Sequence, residues 1–215
     1  MSSKIVALKN STIFAVYLLI VWGFYRNILK FPDEVEEIFI KPVIWLVPVF
    51  FLVKKENKNL ASVGVTLRNF FPSVYLALGF GVFFAVEGLL INYLKNNGLV
   101  FGANIGSSSF WAAFGLSFIT ATSEEIAFRG YLFSRIWMAL KNEFWANILT
   151  SIFWALIHVP AAIFVWKLNF EAAITYLCLA TLFGIGAAFI YARTKNIFSP
   201  VLLHVFWQWP IILFR

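Results

Sequence analysis

Apolar residues in this chain fall into long runs separated by short polar stretches. Residues 11–29, 38–53, 73–94, 110–140, 144–166, 170–191 and 198–214 are each predominantly apolar. A transmembrane helix needs about 20 such residues. The second run is short and carries Pro42 and Pro48, the fifth is interrupted by Pro160, and the last holds Pro200 and Pro210. The fourth is too long for one straight span, since about 30 residues of helix reach roughly 45 Å against a hydrocarbon core of about 30 Å. It must tilt, break or run out along the interface, and Gly130 is the expected break. The pattern predicts an all-α, polytopic transmembrane helix bundle of about seven spans (six to eight). It forms a single integral membrane domain over residues 1–215, multi-pass in the cell membrane.

Composition agrees with this reading. Hydrophobic residues make up 61% and charged residues 13% of the chain, where a soluble domain carries about 25% charged residues. The net charge is +7, and many of the basic side chains sit in short connections: Lys54, Lys55, Lys58, Arg193 and Lys195. That placement follows the positive-inside rule. No basic helix face is interleaved with stacking aromatics, so nucleic acid is not an expected partner. Cys178 is the single cysteine; it excludes an internal disulfide and is expected to be a small buried hydrophobe. Lys4 and Lys9 precede an apolar run with no small-residue cleavage site after it, which predicts an uncleaved first helix. Asp33, Glu34, Glu36 and Glu37 form an acidic run expected to be a solvated loop or the start of an interfacial helix.

The functional signal lies in charges that the apolar runs should not hold. An ionisable side chain near the bilayer centre costs about 2.5–3.5 kcal/mol on insertion scales and usually faces a bundle interior or a water-filled cavity. Glu87, Glu124, Glu125, Arg129, His158 and His204 all fall inside apolar runs, and the chain has just the 2 histidines. Adjacent Glu124 and Glu125 cannot face the same way on a helix. Glu125 and Arg129 share a face at i, i+4 and can pair. Glu124 is left without a partner in its own helix, and a carboxyl so placed suits general-base work. His158 precedes Pro160, which weakens the local ladder and can open backbone groups toward a cavity. His204 and Gln208 share a face at i, i+4; together they can hold a developing oxyanion or clamp two helices.

These residues resemble a known family. Ser123–Phe133, Ser-Glu-Glu-Ile-Ala-Phe-Arg-Gly-Tyr-Leu-Phe, is similar to the Glu-Glu-x-x-x-Arg motif of the CPBP family, which groups type II CAAX prenyl endopeptidases with bacteriocin-processing and immunity (Abi) proteins. His158 matches the histidine of the family's Phe-x-x-x-His motif and His204 the start of its His-x-x-x-Asn motif, so the resemblance covers residues 110–214. Two positions depart from the pattern: Trp154 stands where the family has Phe, and Gln208 where it has Asn. Gln carries the same amide on a stem longer by about 1.5 Å.

The resemblance implies an intramembrane endopeptidase in which Glu124 activates water, Glu125 and Arg129 support it, His158 helps to hold the water, and His204 with Gln208 stabilises the oxyanion. The implied partners are the lipid bilayer and a membrane-bound peptide or protein, CAAX-type prenylated or a leader peptide. No cofactor is expected. Glu124, His158 and His204 together could ligate Zn²⁺, the alternative route to an activated water. Two readings from other classes compete: a non-enzymatic immunity or scaffold protein of the same fold, and a transporter with a proton-relay carboxylate. The absence of an obvious inverted repeat counts against the last.

Charge placement also predicts orientation. Lys4, Lys9, Lys54, Lys55, Lys58, Arg68, Arg135, Lys141, Arg193 and Lys195 collect on the N-terminal side of the alternating runs. Arg26, Lys30, Lys41, Lys95, Lys167 and Arg215 collect on the other. The N-terminus is therefore expected in the cytoplasm. A Lys58→Cys variant should resist a membrane-impermeant maleimide added to intact cells and react once the cells are lysed; labelling from outside would reverse the orientation.

Overall fold

The chain folds into seven helical stretches among the residues that the computed structural model describes, namely 3–29, 31–100 and 109–213. Helix α1 is Ser3–Ile28, α2 runs over residues 33–55, α3 is Phe70–Asn96, α4 runs over residues 110–140, α5 is Glu143–Val165, α6 is Phe170–Thr194 and α7 is Phe198–Leu213. There are no strands among the described residues. Lys30 and Arg215 of the charge count, and residue 214 at the end of the last apolar run, lie outside them.

Local chemistry sets the helix ends. The side chains of Ser109, Asn142 and Asn169 accept hydrogen bonds from the backbone N–H three residues on, which caps the starts of α4, α5 and α6. Asn97, Lys141 and Lys195 take left-handed conformations where α3, α4 and α6 stop. Helix α2 begins earlier than expected, at residue 33 inside the presumed loop, and is wound as a π-helix over Glu36–Ile40.

The bundle is inside out relative to a soluble protein. Glu125, Arg129, His204, Ser199 and Thr194 are buried, whereas Phe51, Phe71, Val82, Phe144 and Phe170 are exposed. Water would punish that arrangement; lipid does not, because its chains are as apolar as the side chains they meet. Helices α1, α3, α5 and α6 are each long and apolar enough to cross a membrane. The molecule is an all-α membrane helix bundle.

Helix α7 packs along α3 and is flanked by α4 and α6, while α5 and α6 form an antiparallel hairpin. Trp45, Phe128, Trp154 and Phe183 fill the centre. Helix α4 is not broken at Gly130. It runs on as a π-helix over Ile126–Phe133 and returns to α-helix at Ser134. The glycine instead permits a close approach: a Cβ there would lie 2.6 Å from the Val63 carbonyl oxygen. Gly184 plays the same part between α6 and α5, where a Cβ would meet that of Ser151 at 2.9 Å.

Several basic residues counted on the N-terminal side gather at one end of the bundle. Arg135 bonds Glu56 at 2.7 Å and Arg193 bonds Glu143 at 2.8 Å, and the Lys195 ammonium sits 3.4 Å from the centre of the Trp137 ring. Lys41 departs from the count. It is 4% exposed, buried inside the bundle rather than on the opposite surface. The acidic run departs too: Glu36 is buried and accepts a hydrogen bond from the Tyr25 hydroxyl at 3.0 Å. Cys178, expected inside, is exposed on the outer face of α6, where an apolar run offers it lipid rather than a packed core.

Gly130→Ala should lower stability by about 1–3 kcal/mol, the usual cost of overpacking, because the obstructing atom is backbone. A melting curve of the detergent-solubilised protein reads this; an unchanged midpoint would show that the 60–63 turn yields freely.

Candidate active site

Three turns of α4 build the floor of the site. Ser117, Thr120 and Glu124 follow one another at i, i+3 and i+7 and therefore share a face. All three are buried. The α-helix ends at Glu125 and the π-helix begins at Ile126. π-Helical turns cost regular hydrogen bonding and occur frequently at functional sites.

Glu125 and Arg129 form the expected pair, with Arg129 Nη1 3.0 Å from Glu125 Oε1. The same carboxylate oxygen meets His204 Nδ1 at 2.7 Å. The guanidinium carbon stands 5.1 Å from the centre of the Trp154 ring and 5.4 Å from that of Phe183, so two aromatic faces complete its surroundings. Glu125 Oε2 and Arg129 Nη2 have no hydrogen-bond partner among the described residues. This group joins α4 to α7 through the Glu125–His204 hydrogen bond.

Glu124 lacks a partner in its own helix, as expected, but it is not unpaired. Helix α2 supplies Lys41, whose ammonium lies 2.9 Å from Glu124 Oε1 and 2.5 Å from Glu37 Oε2. Thr120 donates to that Glu37 oxygen at 2.7 Å. The Trp154 indole N–H donates to Glu124 Oε2 at 3.1 Å. His158 Nε2 faces the same oxygen across 3.8 Å, too far for a direct hydrogen bond.

The tautomer of His158 follows from its other contact. Nδ1 lies 2.7 Å from the Trp154 carbonyl oxygen, which can only accept, so Nδ1 carries the proton. In the neutral ring Nε2 then presents a lone pair toward Glu124. Pro160 sits just beyond, where α5 loosens into a turn and then a π-helix over Ala161–Val165, the local opening that the sequence suggested.

His204 and Gln208 come together as their spacing predicts. The Gln208 amide nitrogen is 3.3 Å from His204 Nε2, and its carbonyl oxygen accepts from the Ser117 hydroxyl. The longer stem of glutamine therefore reaches both α4 and the histidine.

A cavity of about 170 Å³ opens among these groups, lined by Glu37, Lys41, Glu124, His158, His204 and Gln208 and walled by Trp22, Trp154, Trp166 and Trp207. Water takes about 30 Å³ per molecule in the liquid, so the space admits a few waters or a peptide group. Glu87 is not part of it: that residue is half-buried on α3 and does not line the cavity. Among the described residues no three His, Cys, Asp or Glu side chains gather closely enough to hold a metal ion. Both ring nitrogens of His204 are engaged, by Glu125 and by Gln208.

Sequence reasoning missed Glu37, Lys41 and Ser117, and it treated the Trp154 ring as packing. The spacing that could have found them was present. Glu37 and Lys41 stand at i, i+4, and Ser117 lies on the Glu124 face.

Arg129→Ala should cost about 3–5 kcal/mol, because it leaves Glu125 as a buried charge without its cation. Glu125→Gln should act in the same direction by stranding Arg129. The monodisperse yield after purification and the melting midpoint measure both, and a normal yield of Arg129→Ala would show that burial of Glu125 does not depend on Arg129.

Residues 106–210 match the family model described as "Type II CAAX prenyl endopeptidase Rce1-like". A curated relative, the "Putative membrane peptidase YdiL" of Bacillus subtilis (strain 168), is 28% identical over 92 residues. That stretch covers 43% of this chain and 32% of the relative, so the chain matches about a third of the relative's length. The matched model takes in Glu124, Glu125, Arg129, His158, His204 and Gln208 and leaves out Glu37 and Lys41. The motifs, the membrane bundle that carries them and the two matches agree in supporting a CPBP-type membrane protein, similar over residues 106–210 to Rce1-like endopeptidases.

Proposed function

We propose that this protein is an endopeptidase of the cell membrane that hydrolyses a peptide bond of a membrane-associated substrate. The substrate is a CAAX-type prenylated protein or a leader peptide. One observation carries the reading: Glu124 Oε2 and His158 Nε2, both acceptors, face one another across 3.8 Å at the wall of a polar cavity inside an apolar bundle. A water seated between them donates one hydrogen to each, which fixes its orientation and directs an oxygen lone pair outward.

In the proposed reaction that oxygen attacks the scissile carbonyl carbon, and Glu124 takes a proton from the water. The C–O bond forms as the carbonyl π bond opens, giving a tetrahedral oxyanion. Gln208 lines the same cavity, and the second hydrogen of its amide NH₂ is the donor available to meet that charge; Glu125 holds the His204 ring through Nδ1, and His204 Nε2 in turn positions the amide. When the C–N bond breaks, the proton held by Glu124 passes to the leaving amine, which restores the carboxylate. Trp154 keeps Glu124 Oε2 in register through its indole N–H. The aromatic walls limit entry of bulk water, which strengthens each of these interactions. No step here calls on a metal ion.

The test uses the purified protein in detergent with a farnesylated CAAX-type peptide, alongside C-terminal peptide profiling of cells that carry the parent or Glu124→Gln. Glu124→Gln should lower the rate by about 10²–10⁴-fold, the typical worth of a positioned base. Its folded yield should stay near that of the parent, because Lys41 keeps Glu37 as counter-ion at 2.5 Å. Exhaustive chelation should leave the parent's activity intact. Cleavage by Glu124→Gln at the parent rate would remove the proposed base, and loss of activity with stoichiometric zinc would restore the metal route. If neither peptide nor cells show any product that depends on Glu124, the reading that stands is a non-enzymatic scaffold with this fold.

A further inference from the structure

We propose that Lys41 is a positioning residue for the hydrolytic base: its ammonium clamps one oxygen of Glu124 so that the other is presented to His158. The inference rests on the reading of Glu124 as that base. Lys41 Nζ holds Oε1 at 2.9 Å while the Trp154 indole holds Oε2 at 3.1 Å. A carboxylate fixed at both oxygens cannot swing about its terminal bond. That bond is otherwise soft, with a broad two-fold profile. Oε2, which carries one modest hydrogen bond, is the oxygen left facing His158.

The clamp is itself braced. Glu37 takes the ammonium from behind at 2.5 Å, and Thr120 fixes that carboxylate at 2.7 Å. The ammonium lies 5.4 Å from the Trp22 ring centre and 5.8 Å from that of Trp45, from α1 and α2. Lysine has a flexible four-carbon stem, and such bracing is what holds its charge at one point. At 4% exposure it is buried, reaching only the cavity that it lines. Glu37, Lys41 and Trp22 all lie outside residues 106–210. The first two helices therefore contribute more than anchorage: they reach into the motif-bearing half and set the aim of its base.

The charges also suggest a variant that separates aim from stability. One ammonium serves two carboxylates, so Lys41→Met alone strands Glu37 and Glu124 together. Lys41→Met with Glu37→Gln removes one charge of each sign and leaves the net charge of the cluster as it was. This double variant leaves one carboxylate, Glu124, without its cation where Lys41→Met leaves two, so its melting midpoint should lie between those of the parent and Lys41→Met. The folded fraction should lose about 100-fold in kcat per folded molecule on the farnesylated peptide, the penalty typical of an ångström-scale misplacement. KM should stay within about twofold, since the lost contact orients the base rather than binds substrate. If the methionine variant does not yield folded protein, Lys41→Gln with Glu37→Gln keeps polar partners on both sides and carries the same expectations.

A second readout needs no turnover. Dicyclohexylcarbodiimide labels protonated carboxyls in apolar surroundings. Peptide mapping of the folded fraction should find Glu124 unlabelled in the parent and labelled in the double variant, with Glu125, which keeps Arg129, unlabelled in both. Parent-like kcat in the double variant, or equal labelling of Glu124 in the two proteins, overturns the proposal. Glu124→Gln run in parallel distinguishes the failures: activity there removes the hydrolytic reading, while the labelling still decides whether Lys41 clamps the carboxylate.

Discussion

A charge that cannot reach water must find its opposite inside the protein, and that constraint organises this bundle. Lys41 joins α2 to α4 through Glu124; Glu125 joins α4 to α7 through His204. In a soluble protein the apolar effect would gather these helices, with ion pairs added at the surface for little gain. Here the outer faces are as apolar as the lipid they meet, so apolar burial does not distinguish one helix pairing from another. Ion pairs and close glycine contacts can. A misregistered α2 would leave Lys41 and two carboxylates unmatched, at a cost of several kcal/mol. The same interactions that could carry chemistry thus also specify the register of the helices.

Much of this was legible in the sequence, because a bilayer enforces simple rules. Long apolar runs become helices; their charged residues face inward; i, i+4 spacing pairs Glu125 with Arg129 and His204 with Gln208. What was not legible was partnership between distant runs. Lys41 read as one of the basic residues on the far side of the alternating runs. Its burial depends on α2 starting at residue 33 rather than 38, inside a stretch rich in acidic residues that read as a solvated loop or the start of an interfacial helix. The π-helical winding over Glu36–Ile40 and Ile126–Phe133 was equally hidden. Hydrophobic periodicity tests for a 3.6-residue repeat and has no signal for one local turn of a different pitch. Gly130 shows the converse error. A glycine in a long helix reads as a break, yet its missing side chain serves the Val63 carbonyl that packs against it.

The two adjacent glutamates show how environment divides roles between identical side chains. Glu125 is fully buried, and one of its oxygens takes both Arg129 and His204; moving a proton onto it would undo two helix contacts at once. Glu124 turns the other way, onto the cavity, with a single cation at one oxygen and an indole N–H at the other. A proton arriving at Oε2 leaves Lys41 with Glu37 still beside it, so the ammonium keeps a counter-ion while Glu124 changes state.

That difference bears on how a base can work where no solvent relaxes around it. In water a carboxylate that gains or loses a proton is accommodated by reorienting dipoles. In an apolar interior the compensating charge must already be in place, and it must tolerate both states of the group. An ammonium held by Glu124 alone would be stranded each time the proposed base was protonated. Shared between Glu37 and Glu124, it always has a partner, and Thr120 keeps the second carboxylate from following it. The acidic residue that first read as part of a solvated loop or interfacial helix start is thus the one that would keep the ammonium partnered while the proposed base changes its protonation state.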